Sequence, residues 1–211
     1  MDIDLRVDAL MIVARIAHEL AAEPRVLPSL VRLAGSREKQ LRVAALYALA
    51  RAASKLPAGR PNDATVGTYS TAFDQAMGDA AAPAAVRAMG WLGWGELSAA
   101  GRAVSPRVRA LWAALLERAR TGLEPAEEPV LAAAVHAMGR VRDRSFVPQL
   151  TALLASGNDE GQRQAAWALG AMGDPRALSP LLQATFSRRD PIRWTAAGAL
   201  AQLTAASASA A

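Results

Sequence analysis

The feature that most restricts this chain is an internal repeat. VLAAAVHAMGRVRDRSFVPQL is followed by GQRQAAWALGAMGDPRALSPL, and their equivalent residues Gly139 and Gly170 stand 31 residues apart. A further step of 31 reaches Ala201, inside PIRWTAAGALAQL. The N-terminal half carries the same text: EPRVLPSLVRLAGSREKQLRVAALYALA aligns without a gap onto DPRALSPLLQATFSRRDPIRWTAAGALA at an offset of 151. Pro24/Pro175, Arg25/Arg176, Leu27/Leu178, Leu30/Leu181, Arg42/Arg193 and Leu49/Leu200 coincide. A unit this short cannot bury its own apolar side, so successive units must stack on one another. The landmark recurs at Ala50, Gly93, Gly139, Gly170 and Ala201, with intervals of 43, 46, 31 and 31. The longer intervals place insertions in residues 55–67, and over 95–102 and 120–129, where Gly, Pro and acidic residues cluster.

Each unit reads as two helices. Asp174 supplies an N-cap acceptor and Pro175 sits where a missing N–H costs nothing, so a first helix starts there. Ala177, Leu178, Leu181, Leu182 and Phe186 are its expected buried side. Asp190 with Pro191 starts the second helix by the same device, and Glu128 with Pro129 repeats that start earlier in the chain. The apolar content, 52% of the residues with only 5% aromatic, is mostly Ala, Leu and Val, which suits helices packed closely through small side chains.

ALGAMGDPRAL, AMGRVRDRSFVPQL and DPIRWTAAGALAQL resemble the bacterial HEAT-like repeats named after phycobilisome lyases, over essentially the whole chain apart from the insertions. The resemblance implies an all-α, right-handed α-α superhelix, a HEAT-like solenoid of about five helical hairpins plus an N-terminal helix. It also implies that the second helices line a concave face on which partners dock. The chain departs from a uniform pattern at Ala85, Leu131 and Gln162, which stand where Arg42 and Arg193 carry arginine. An unbroken arginine ladder is therefore not expected.

On the last second helix, Ile192, Ala196, Ala199, Leu200 and Leu203 fall on one side at about 100° per residue and form the expected core seam. Trp194, Gly198 and Ala201 lie opposite, with Gln202 at the flank. Carried back through the repeats, this stripe collects Arg163, Trp167 and Ala171; Ala132, His136 and Arg140; Val86, Gly90 and Trp94; and Val43, Tyr47 and Arg51. Tyr47, His136 and Trp167 share one column. Trp, Tyr and Arg combine apolar area with a directed polar group and dominate protein interfaces, which makes Tyr47, Arg51, Trp94, His136, Arg140, Arg163, Trp167 and Trp194 the candidate partner-binding residues. The bland alternative is that the tryptophans fill gaps between alanine-rich helices. In GWLGWG, residues 90–95, the glycines read as a helix stop beside Trp91 and Trp94.

Other chemistries find little support in the residues. The chain has no cysteine and two histidines, His18 and His136, so neither a thiolate site nor a histidine-rich metal site is expected, and no cofactor motif is present. There is no G-x-S-x-G, H-E-x-x-H or Gly-Lys-Ser/Thr. The net charge of +5 comes from bases that are all arginine except Lys39 and Lys55, and they are interspersed with acids instead of gathered in a block. A non-catalytic scaffold that binds another protein is the first expectation. A nucleic-acid-binding HEAT protein similar to the alkylpurine DNA glycosylases is a second reading, weakened because the stripe holds no carboxylate. A bilin-lyase-type subunit is the third, resting on the family name alone.

The start MDIDLRVD lacks the basic opening of a signal peptide, and no stretch reaches about 18 apolar residues, so a cytoplasmic location is expected. One repeat domain over residues 1–205 is expected, capped by a helix from Asp4 to Leu20, with a flexible Ala/Ser tail over 206–211. The last hairpin reads as poorly covered, which leaves room for a homodimer.

Overall fold

In a computed structural model, residues 7–9, 11–12, 26–56, 64–99, 101 and 103–208 are described. Most of the expected capping helix lies outside them, although residues 7–9 and 11–12 are helical. All regular structure among the described residues is helical. The chain separates into two compact units, Met1–Ser105 and Pro106–Ala211.

The first unit contains α1 (Val26–Ala34), α2 (Lys39–Ala53), α3 (Ala64–Gly78) and α4 (Ala84–Ala99). Helices α1 and α2 form one hairpin and α3 and α4 the next; α2 packs along α4, and α1 meets α3. The core between them holds Leu41, Leu46, Leu49, Tyr69, Phe73, Trp94 and Leu97. Arg42 reaches the following hairpin turn, donating from Nη2 to Asp79 Oδ2 at 3.3 Å.

GWLGWG does not stop a helix, contrary to the sequence-based expectation: α4 runs through it to Ala99, so the insertion expected over 95–102 is helical for most of its length. The glycines serve packing instead. A Cβ on Gly93 would lie 2.2–2.5 Å from the Phe73 ring, and one on Gly90 would lie 2.7 Å from Met77 Cγ and 2.9 Å from the Phe73 carbonyl oxygen. Helix α3 can approach α4 this closely only because those side chains are missing.

The second unit stacks three hairpins: α5 (Pro106–Thr121) with α6 (Glu128–Val141), α7 (Val147–Ser156) with α8 (Asp159–Met172), and α9 (Leu178–Ala184) with α10 (Asp190–Ala208). The first helices form one layer, α5 on α7 and α7 on α9; the second helices form the other, α6 on α8 and α8 on α10. Trp112 anchors this core, donating from its indole to the Ala134 carbonyl at 3.1 Å and meeting Phe146 edge to face, with centroids 5.3 Å apart. Gly139 and Gly170 explain the landmark: a Cβ on Gly139 would lie 2.6 Å from the Trp167 ring, and one on Gly170 would lie 2.6 Å from Ala199 Cα. Each glycine lets the next second helix lie against its own.

Of the expected starts, the one at Asp174 is capped as its chemistry predicts, whereas Glu128 and Asp190 are the first helical residues of α6 and α10 and not caps before them: the residue ahead of α6 makes no side-chain cap hydrogen bond, and the Asp190 carboxylate pairs with Arg193. Asp174 accepts from Arg176 N at 2.9 Å ahead of a 3-10 turn, Pro175–Ala177, that leads into α9. One repeat earlier Asp143 accepts from Ser145 N at 3.1 Å before the turn Arg144–Phe146 that leads into α7. Both preceding helices close in a left-handed conformation, on Gly173 at φ 65° and on Arg142 at φ 55°. The aligned arginine positions bind turns: Arg193 donates to the Ser187 carbonyl at 3.1 Å and Gln162 to the Gly157 carbonyl at 3.0 Å. Gln162 thus does the work of the missing arginine, whereas Leu131 is core.

Two expectations about the last hairpin need correcting. Of its expected buried side, Ala177 and Leu181 are buried, but Leu178, Leu182 and Phe186 are 48%, 52% and 80% exposed, because no further hairpin lies over them among the described residues. Helix α10 continues to Ala208, and residues 209–211 lie outside those described. Its core seam is as expected for Ile192, Ala196, Ala199 and Leu203, while Leu200 is half-buried.

Candidate docking face on the second helices

The inward sides of α6, α8 and α10 are fixed by burial of residues such as Leu131, Leu169 and Leu203, which leaves the opposite side of each helix free to face outward. The 31-residue register then brings like positions side by side. Nine residues in 31-residue register make up the stripe in this unit: Trp194, Gly198, Arg140 and Gln202 are exposed, and Ala132, His136, Arg163, Trp167 and Ala171 are half-buried. Ala201, also expected on the stripe, is exposed but stands in register with the buried Gly170, and Gln202 takes its place.

Within the stripe His136 of α6 stacks on Trp167 of α8, with centroids 4.5 Å apart and planes 10° from parallel. The contact holds two rings in fixed orientation across neighbouring helices, and the space where a Gly139 side chain would stand is taken by the Trp167 ring. Arg163 makes a bidentate pair with Glu160 one turn earlier, Nε to Oε2 at 2.8 Å and Nη2 to Oε1 at 2.5 Å, and Gln164 adds a bond to Oε1 at 2.7 Å. The Arg163 hydrogen bonds hold the Glu160 carboxyl below its ordinary pKa and raise that of Arg163. Glu160 was not singled out from the sequence; its place three residues before Arg163 on a helix was the available signal. Trp194 is 72% exposed, one turn before Gly198, where an added Cβ would meet nothing within 4 Å. The stripe therefore presents a projecting indole, a bare backbone notch and a fixed pair of stacked rings.

At the turn end of these helices an open polar groove of about 760 Å³ is lined by Glu128, Gly157, Asn158, Asp159, Glu160, Gln162 and Arg189. Its polar groups bind one another across adjacent hairpins: Asn158 donates to Glu128 at 3.0 Å, and Arg189 pairs with Asp159. These bonds staple repeats together.

In the first unit the stripe holds on α2 alone. Tyr47 is 37% exposed and Arg51 is exposed in the last turn of that helix. Tyr47 borders an apolar hollow of about 450 Å³ together with Val43, Ala44, Ala85, Met89, Val7 and Met11. On α4 the expected stripe is wrong. Trp94 is only 1% exposed and its indole donates to Asp74 Oδ1 at 2.6 Å, and Val86 and Gly90 are buried with it. Ala85 and Met89 stand beside Tyr47's hollow instead, one residue earlier than the repeat alignment placed them. The glycine pair that draws α3 close turns residues 90 and 93 inward and shifts the register of the outer face.

Among the described residues no group of three or more His, Asp or Glu is arranged to hold a metal ion. No helix of the described residues is long and apolar enough to cross a membrane.

Comparisons with known proteins agree with this architecture. Residues 113–201 match the family model for HEAT repeats. A solved structure of a designed armadillo repeat protein superposes with a TM-score of 0.55 at 18% identity, over 96% of this chain and 94% of that one. No curated protein sequence matches. The likeness in structure shows the α-helical repeat fold, and the family match covers residues 113–201, less than half of the chain. Neither supports assignment to the phycobilisome-lyase subclass.

Proposed function

We propose that this chain is a non-catalytic protein-binding scaffold whose partner docks on the outer face of α6, α8 and α10. The observation that carries the reading is that the stripe positions of these helices lie side by side, four exposed and five half-buried, with His136 and Trp167 stacked, Arg163 pre-ordered by Glu160 and Trp194 72% exposed. Aromatic and arginine side chains already held in place lose little freedom on binding, which is where affinity is usually forfeited. Repeat solenoids offer such faces on rigid helices. Tyr47 and Arg51 extend the proposal to the first unit as a second contact area, and Trp94 drops out of it.

The partner is an exposed protein segment that offers an apolar side chain to the Trp194–Gly198 notch and acceptors to Arg140 and Arg163. Affinity capture from cells expressing the chain, followed by titration of the purified partner, tests this. Trp194→Ala with Arg140→Ala should weaken binding by at least tenfold, as loss of two hot-spot residues does. Both side chains are exposed, so the variant should keep its helicity; unchanged affinity in the folded variant would exclude the face.

A further inference from the structure

The outer side of the last hairpin has no charge on it. Residues 177–187, which include α9, and 194–208 of α10 contain no Asp, Glu, Lys or Arg; the charges of this hairpin lie at its turn, in Arg188, Arg189, Asp190 and Arg193, and at its start in Arg176. An outer face of a solenoid that meets water is normally polar. Here it carries Leu178, Leu182 and Phe186, spaced four residues apart on one side of α9 and its C-terminal turn, all exposed. Beside them Ala197 and Ala201 of α10 are exposed.

The preceding repeat shows what this surface is built to do. Thirty-one residues earlier Val147 stands for Leu178 and is buried, while Thr151 and Ala155 stand for Leu182 and Phe186 and are half-buried and exposed; Ala166 and Gly170 stand for Ala197 and Ala201 and are buried, Gly170 directly under Ala199 of α10. The floor of small residues continues the interface that joins one hairpin to the next, whereas the last first helix carries leucine and phenylalanine where the preceding one has Thr151 and Ala155, a ridge particular to this hairpin.

We infer that the occupant is the same face of a second copy of this chain, joined about a two-fold axis. A face with a ridge on one helix and a floor on its neighbour is self-complementary: antiparallel apposition sets each copy's Leu178–Leu182–Phe186 ridge against the other's Ala197–Ala201 floor. The absence of charge removes both the repulsion that like faces usually suffer and the means by which a charged partner would be selected. Three exposed large apolar side chains beside an alanine floor make a patch of about a few hundred Å² per copy, so a pair buries on the order of 1,000 Å², the small end of specific interfaces.

Multi-angle light scattering and sedimentation equilibrium on the full chain test this from about 1 to 100 µM, the range in which an interface of this size associates. The expected result is a reversible shift from one to two chain masses, abolished by Leu182→Glu combined with Phe186→Glu. Both residues are exposed in the single chain, and circular dichroism should show the variant as helical as the wild type. Ala197→Arg, which alters the floor alone, should weaken the pair at least tenfold. A wild type that stays at one chain mass at the highest concentration overturns the inference. So does a dimer indifferent to these substitutions. Mass that climbs past two copies overturns the two-fold arrangement in favour of head-to-tail stacking.

Discussion

Gly170→Ala puts the stacking of second helices to a test in which two effects oppose each other. In an isolated helix the change would stabilise by about 0.5–1 kcal/mol, since alanine loses less backbone freedom on folding. In this protein the new methyl carbon would sit 2.6 Å from both Ala199 Cα and Cβ and 3.0 Å from the Ala199 carbonyl oxygen. Carbon atoms in contact need about 3.5–4.0 Å, so α8 and α10 must part by about 1 Å. The obstructing atoms are backbone and its first carbon, which no rotamer change can move aside. Overpacking of this kind costs about 1–3 kcal/mol, and the separation also loosens contacts along the rest of the helix pair. The net expectation is a loss of about 1–2 kcal/mol. Gly198→Ala is the matched control: the same substitution on α10, where a Cβ meets nothing within 4 Å, should gain the full propensity term. Thermal unfolding followed at 222 nm should show Gly170→Ala about 3–6 °C lower and Gly198→Ala about 2–3 °C higher than wild type, taking about 2–4 °C per kcal/mol for a chain of this size. Two shifts of the same sign would refute the account of how the landmark glycines work.

Further consequences concern caps and buried polar groups. Arg142 holds a left-handed conformation at φ 55°, where its repeat equivalent is Gly173, so Arg142→Gly should raise stability by about 0.5–1 kcal/mol in urea unfolding. The Arg176 guanidinium beside Asp174, with backbone and Arg144 help, draws that carboxyl from its ordinary 3.8 down to about 2. A depressed folded-state value means the charge contributes fully above about pH 4 and its contribution fades as pH falls toward 2. The stability gap between wild type and Asp174→Asn should therefore be constant near neutrality and close over that acid range; a gap that is unchanged at pH 2 would contradict the ion pairing. Trp94→Phe leaves Asp74 without its 2.6 Å indole donor inside the first unit and should cost about 1–3 kcal/mol, measured by chemical unfolding, with no effect on partner affinity.

Much of the fold is legible in the sequence because short-range chemistry decides it. Asp174–Pro175 marks a helix start through capping, and Asp190–Pro191 marks one through a proline in the first helical turn, neither of which needs knowledge of tertiary structure. The 31-residue register holds across α6, α8 and α10, where two equal steps carry no accumulated error and bring like positions side by side, four of them exposed and five half-buried. The same register fails by one residue on α4, where a glycine is read as punctuation although it is a close-packing device. A glycine before a tryptophan has the same local signal in both roles, and only the position of Phe73 on another helix separates them. Leu178, Leu182 and Phe186 have helical spacing suited to burial, yet periodicity does not say whether a neighbour is there to bury them. The Glu160–Arg163 pair was open to reading from spacing alone and is the one element of the candidate face that a closer look at helix neighbours supplies.

The side of the hairpins that meets a partner decides the docking proposal. A photo-crosslinking amino acid placed at Gln202 or Arg140, on the exposed stripe of α10 and α6, samples the proposed docking face, and one at Gln149 or Ala113, exposed on first helices, samples the other layer. Irradiation in cells should give adducts with a protein other than this chain from the two stripe positions and none from the first-helix positions. Adducts from Gln149 or Ala113 with none from Gln202 and Arg140 would contradict the assignment.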